Sequence, residues 1–188
     1  MNDNRIIIIS HCVFNELSKV RSEVKKEYDS VGNLINRLIE EKVGFIQLPC
    51  PETYCYGLKR WGHTVEQFDN PYYRETCEKL FDTTLNMIKN HIAVGDKIVC
   101  LAGIAGSPSC GVESTCSSDL WGGELGSKKD IAKTISDVSR VQGKGVFIDV
   151  IQSILDENNI KIPMIEYNRK ELGKFEEDIF KLLNVEDN

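Results

Sequence analysis

The segment RIIIIS at residues 5–10 constrains the fold more than any other feature of this chain. Four consecutive isoleucines show no polar alternation, so a strand made of them is buried on both faces, the condition met in parallel sheets. Two further runs repeat the pattern, VGFIQL at 43–48, ended by Pro49, and KIVCLAGIA at 97–105. IPMIEY at 162–167 supplies a fourth. Between these runs the hydrophobic period changes. Val31, Leu34, Ile35, Leu38 and Ile39 recur at steps of three and four and predict a helix over 22–42. Leu80, Leu85 and Ile88 do the same within 71–91, where Pro71 suits a first helical turn. Helices are also predicted over 146–159 and 171–183. Strands alternating with helices call for an α/β fold, a three-layer α/β/α sandwich whose mainly parallel sheet is Rossmann-like or flavodoxin-like.

A chain of 188 residues accommodates one domain with a real core, so a single domain is expected over 1–188. With 41% hydrophobic and 28% charged residues it falls in the soluble globular class. A formal charge of -6 argues against nucleic-acid binding, which needs basic clusters, and leaves a small-molecule substrate or a protein partner open. The opening MNDNRIIIIS has too short an apolar run for a signal peptide or a membrane span, so a cytoplasmic location without membrane association is expected. The stretch 112–145, which contains SSDLWGGELGSKK, exceeds most connections in compact domains and is expected to be a lid or insertion with some helix around 130–138 and Trp121 at its tip. Oligomeric state leaves no mark in the pattern.

Seven cysteines, at 12, 50, 55, 77, 100, 110 and 116, are unexpected in a reducing compartment, where disulfides are rare and an odd count cannot pair completely. Metal binding or thiol chemistry becomes the question, and no pair has C-x-x-C spacing, so any site is assembled by the fold. Ligands of open parallel sheets bind beyond the carboxyl ends of the strands, where the strand order reverses. Cys12 follows the first strand in ISHC, Cys50 the second in QLPCPE and Cys110 the third in AGSPSCG. They converge if those strands are neighbours. In the last of these, Gly106 and Gly111 allow close backbone approach and Pro108 stiffens the turn. Cys77 and Cys100 lie inside a helix and a strand and read as core. Cys55 and Cys116 stand in loops, each open to reading as a fourth ligand, a sulfur carrier or a plain loop thiol. His11 is expected to point to the face opposite Cys12 if the strand continues.

The set HC, CPE and SPSCG, placed after successive strands, resembles the thiouracil desulfidase family. The likeness covers most of the chain in strand order and spacing, and CPE and SPSCG carry its specificity. In that family the matching cysteines hold a [4Fe-4S] cluster whose fourth iron has no protein ligand and takes the sulfur removed from a thiocarbonyl substrate. The resemblance implies Cys12, Cys50 and Cys110 as cluster ligands. It also implies an enzyme that removes sulfur from a thiouracil-like base or other thioamide by non-redox hydrolysis, with release of hydrogen sulfide. A cluster with an open iron is expected to be lost in air. This chain departs from the family where CVFN replaces CLLG and TYCYGLKRWG replaces GGLPTPR, which implies a different substrate pocket.

Other roles are suggested by position. Glu52, two residues past Cys50, is the candidate for proton transfer, because a carboxylate near a dry pocket has a raised pKa. Ser107 and Ser109 are candidates for orienting substrate or water. Tyr54, Tyr56, Lys59, Arg60 and Trp61 form a basic-aromatic group that reads either as a site for a planar heterocycle or phosphate, or as a surface ribbon over the core. A low-molecular-weight phosphatase is excluded, since its C-x5-R loop needs arginine where Ser18 stands. A zinc protein using the same thiolates, or a non-enzymatic iron-sulfur or sulfur-carrier module, remains as an alternative.

Overall fold

The computed structural model describes residues 4–21 and 31–185. In chain order the first half comprises β1 (Arg5–Ile9), α1 (His11–Phe14), α2 (Gly32–Glu40), β2 (Gly44–Gln47), α3 (Pro51–Tyr56), α4 (Val65–Phe68) and α5 (Pro71–Ala93). The second half comprises β3 (Lys97–Ile104), β4 (Ser114–Ser117), α6 (Ile131–Asp137), β5 (Ser139–Gln142), α7 (Val146–Glu157), β6 (Met164–Tyr167) and α8 (Leu172–Leu183). Of the helix expected over 22–42, the part at 22–30 lies outside the described residues. Among those residues, no helix is long and apolar enough to cross a membrane.

Four strands form a parallel sheet in the order β2-β1-β3-β6. The isoleucine run explains why it is covered on both faces. Ile6 and Ile8 pack with Tyr73, Phe81 and Ile88 of α5 and with Phe147, Ile151 and Leu155 of α7. Ile7 and Ile9 turn the other way, toward Leu34 and Leu38 of α2 and Phe175 and Ile179 of α8. None of the four isoleucines is more than 6% exposed, and each such burial contributes about 2 kcal/mol. The fold is therefore an α/β sandwich of three layers. One irregularity interrupts the pleat. Ile6 pairs with Ile98 but Ile7 pairs with Cys100, so a bulge at Val99 sends both Val99 and Cys100 into the α2/α8 layer.

Helix α5 begins as its sequence dictates. The Asn70 side chain accepts a hydrogen bond from Tyr73 N at 3.0 Å, and Pro71 fills the first helical position. The long stretch after Cys110 holds more than the expected helix. Besides α6 it contains an antiparallel pair of strands, β4 and β5. The sequence carries no sign of them, because STCS and SRVQ are largely polar and only Thr115 among them is buried, so no apolar alternation marks them.

Candidate functional site

With β1 between β2 and β3, the three loops carrying Cys12, Cys50 and Cys110 leave the same end of the sheet side by side. Ser10 N still donates to Ala102 O at 3.0 Å, and the chain then turns directly into α1, so the strand does not continue through His11 as expected. His11 is held within its own loop, with Nε2 3.1 Å from Ser18 Oγ and 3.3 Å from Asn15 Nδ2. Cys50 caps α3. Its Sγ accepts from Thr53 N at 3.4 Å, and Pro51 begins the helix.

The SPSCG turn is the most tightly built of the three. Ser107 Oγ accepts from Cys110 N at 2.9 Å and from Ser109 N at 3.3 Å. A Cβ on Gly111 would lie 2.0 Å from Ser114 O, and one on Gly145 would lie 2.4 Å from the Ser109 carbonyl carbon, so both positions exclude side chains. Glu166, at the end of β6, clamps the backbone just past the turn. Its Oε1 accepts from the backbone N–H groups of Val112, Glu113 and Ser114 at 3.1, 3.0 and 3.0 Å, and its Oε2 from Ser114 Oγ at 2.9 Å. Such charge-assisted bonds are about twice as strong as neutral ones.

The thiols interact. Cys12 and Cys50 lie close enough to influence each other's charge, and Cys110 lies within electrostatic reach of both. The interaction with Cys50 pushes the Cys12 thiol far up, helped by burial and by the neighbouring charges of Cys110 and Glu52. It brings Cys50 down to about 5, against burial and with help from Thr53 and the Arg60 charge. Burial pushes Cys110 up to about 12, opposed by the hydroxyls of Ser109 and Ser10. Burial likewise raises the Glu52 carboxyl above its ordinary value despite Arg60 beside it, and the Cys50 charge adds to the rise.

Arg60 is the partner that the sequence concealed. Its side chain is 2% exposed, and Nε donates to Glu52 Oε2 at 2.9 Å. The basic-aromatic group is therefore neither a single ligand site nor a uniform surface ribbon. Tyr56 joins an aromatic stack with His63 and Phe68, while Tyr54 and Trp61 are exposed. Burial beside other carbons lowers the His63 pKa.

A cavity of about 360 Å³ opens beside these groups, lined by Cys12, Glu52, Arg60 and Ser107, by Cys116 and Arg140 of the β4–β5 hairpin, and by Lys19, Arg169 and Lys170. The two cysteines left open by the sequence thus separate. Cys116 faces this cavity, whereas Cys55 packs against the core. Cys77 and Cys100 are fully buried. Ser109 is fully buried too, and its hydroxyl accepts from Tyr73 at 3.0 Å and lies 3.7 Å from Cys110 Sγ. That position places Ser109 beneath Cys110, outside the cavity lining that includes Ser107. The hairpin side of the cavity docks through Trp121 Nε1, which donates to Gly62 O at 3.0 Å, and through Glu66, which binds the Ser117 hydroxyl and Ser118 N.

Sequence reasoning missed Arg60 as a buried partner, Tyr73 beneath Ser109, and Glu166. Only Glu166 carried a signal, as the one charge in the otherwise apolar IPMIEY run. Among the described residues, no three His, Cys, Asp or Glu side chains form the close group that grips a single metal ion. An iron-sulfur cluster spreads its thiolates around a larger body, and three thiols on separate loops match that donor chemistry.

Residues 4–121 match the family described as Putative 2-thiouracil desulfurase, a span that includes Cys12, Cys50 and Cys110. Uncharacterized protein MJ0003 of Methanocaldococcus jannaschii is 28% identical over 185 residues, covering 97% of this chain and 99% of that protein. No solved structure matches the chain. The family match runs through all three strand-end loops, and the chain belongs to the putative 2-thiouracil desulfurase family.

Proposed function

We propose that this chain is a desulfurase that hydrolyses the C=S bond of a thiocarbonyl compound, using a [4Fe-4S] cluster held by Cys12, Cys50 and Cys110. The observation that carries this reading is the convergence of three thiols from three neighbouring strand ends, with Cys12 lining the cavity and Cys50 and Cys110 within electrostatic reach of it. The name of the family supports the reaction class. Held by three thiolates, such a cluster would supply an iron free of protein ligands to polarise the thiocarbonyl.

The remaining work falls to the chain's own groups. Hydrolysis exchanges sulfur for the oxygen of water and needs no oxidant or reductant. Water loses its protons as the C–O bond forms, and the departing sulfur gains them as hydrogen sulfide. Glu52 lines the cavity and has a carboxyl raised by burial, which suits it to take a proton from water and return it to sulfur. Arg60 keeps that carboxyl in place. Lys19 and Arg169 are both paired to Glu16, and Arg140 and Lys170 beside them favour a thiocarbonyl compound that carries negative charge.

The test is anaerobic reconstitution followed by iron and acid-labile sulfide analysis, then incubation with 2-thiouracil while sulfide and uracil are measured. Replacing Cys12, Cys50 or Cys110 singly with alanine is expected to abolish both cluster and turnover. Glu52→Gln is expected to keep the iron and slow turnover by about a hundredfold or more. A wild-type protein that takes zinc and no iron, or full iron retention in any of the three cysteine variants, would overturn the reading.

A further inference from the structure

We infer that Arg60 is the positioning residue of this site, tying the segment after Cys12 to the helix that carries Cys50 and aiming Glu52 into the cavity. The inference extends the hydrolytic reading and rests on it for the role of Glu52. Its basis is the set of acceptors around one guanidinium. Nε donates to Glu52 Oε2 at 2.9 Å, and Nη2 donates to Ser18 O at 2.8 Å, across 42 residues of sequence. Nη1 donates to Gly57 O at 3.2 Å and to Thr53 Oγ1 at 3.4 Å.

Two of these acceptors belong to residues that bond the thiol-bearing segments through other atoms. Ser18 contacts His11, the residue before Cys12, through the 3.1 Å bond between their side chains. Thr53 N is the group that bonds Cys50 Sγ at 3.4 Å. The guanidinium thus bonds both loops and the carboxylate at once. A lysine ammonium keeps the charge but offers its donors from a single point, so it cannot span acceptors spread along a fork. Stability alone is a weak reason for such a residue, because a buried ion pair is often no better than apolar side chains of equal volume. Geometry is the stronger reason.

The experiment compares wild type with Arg60→Lys, alone and combined with Glu52→Gln. In cluster-free protein, hydrogen–deuterium exchange read by mass spectrometry is expected to quicken over residues 11–19 in Arg60→Lys while α5 and β3 stay protected. In the reconstituted enzyme, Arg60→Lys is expected to keep its iron and lose roughly ten- to a hundredfold in kcat, the cost of a mis-set catalytic group, with KM little changed. Because Arg60 acts through Glu52, adding Arg60→Lys to Glu52→Gln is expected to lower kcat no further. Wild-type exchange and kcat in Arg60→Lys would overturn the inference, as would an undiminished effect of that change in the Glu52→Gln background. If Arg60→Lys does not fold, the pair Arg60→Met with Glu52→Gln removes both charges together. Unchanged exchange over 11–19 in that protein would also overturn the inference. A wild type without iron or turnover would instead sink the desulfurase reading, and the exchange comparison would still decide whether Arg60 ties the two loops.

Discussion

The Cys110 turn and the β4–β5 hairpin bound the same cavity but are built by different means. The turn is held backbone to backbone. Ile104 N donates to Cys110 O at 2.7 Å, and Val146 N and Phe147 N donate to Pro108 O and Ser109 O, each at 2.9 Å. Glycines at 111 and 145 let these chains approach more closely than any side chain permits. The hairpin shares backbone bonds with the turn at its base, where Gly106 N donates to Ser114 O at 3.1 Å. Farther out it is attached by side chains: Trp121 to Gly62, and Glu66 to Ser117 and Ser118. Strand β5 is exposed along its whole length. The Cys110 turn is thus fixed to the end of the sheet, whereas the outer part of the hairpin wall is fastened by side-chain contacts.

The largest test of this contrast pairs two glycines. Gly111→Ala sets a Cβ 2.0 Å from Ser114 O and 2.7 Å from Ser107 O, and neither backbone oxygen can retreat cheaply. A loss of about 3 kcal/mol in urea unfolding is expected, at the upper end of overpacking costs, together with a loss of bound iron. Gly123→Ala, at φ +77° with nothing within 4 Å of the added carbon, is expected to cost about 1 kcal/mol from backbone strain alone and to leave iron unchanged. Equal costs would break the contrast.

Next comes Tyr73→Phe, which removes only the hydroxyl bonded to Ser109 beneath Cys110. Thermal unfolding is expected to show a loss of about 1 kcal/mol, the net value of one buried hydrogen bond. The smallest stability effect is expected on the other wall. Trp121→Ala removes one hydrogen bond to Gly62 and is expected to cost under about 1 kcal/mol while raising KM for a thiocarbonyl substrate severalfold. An unchanged KM would show that the hairpin covers the cavity without selecting its occupant.

Legibility tracked the reach of each signal. The isoleucine run and KIVCLAGIA were readable as strands because burial on both faces leaves an unbroken apolar stretch. CPE and SPSCG were readable because the residues that shape each loop stand next to its cysteine. Strands β4 and β5 were not, since polar residues on an exposed hairpin carry no period. Ser109 reads like Ser107 in sequence, yet one is fully buried under Cys110 and the other lines the cavity.

The sequence by itself determined the layered sandwich and the strand-end placement of Cys12, Cys50 and Cys110, because hydrophobic period and strand punctuation are local properties. Tertiary structure alone decided that β1 lies between β2 and β3, that Arg60 turns inward to Glu52 and Ser18, and that Cys116 rather than Cys55 faces the cavity. Each of these depends on which distant segment lies alongside. A surface-like arginine becomes a buried partner only when a carboxylate and a carbonyl 42 residues away meet it in a space that excludes water.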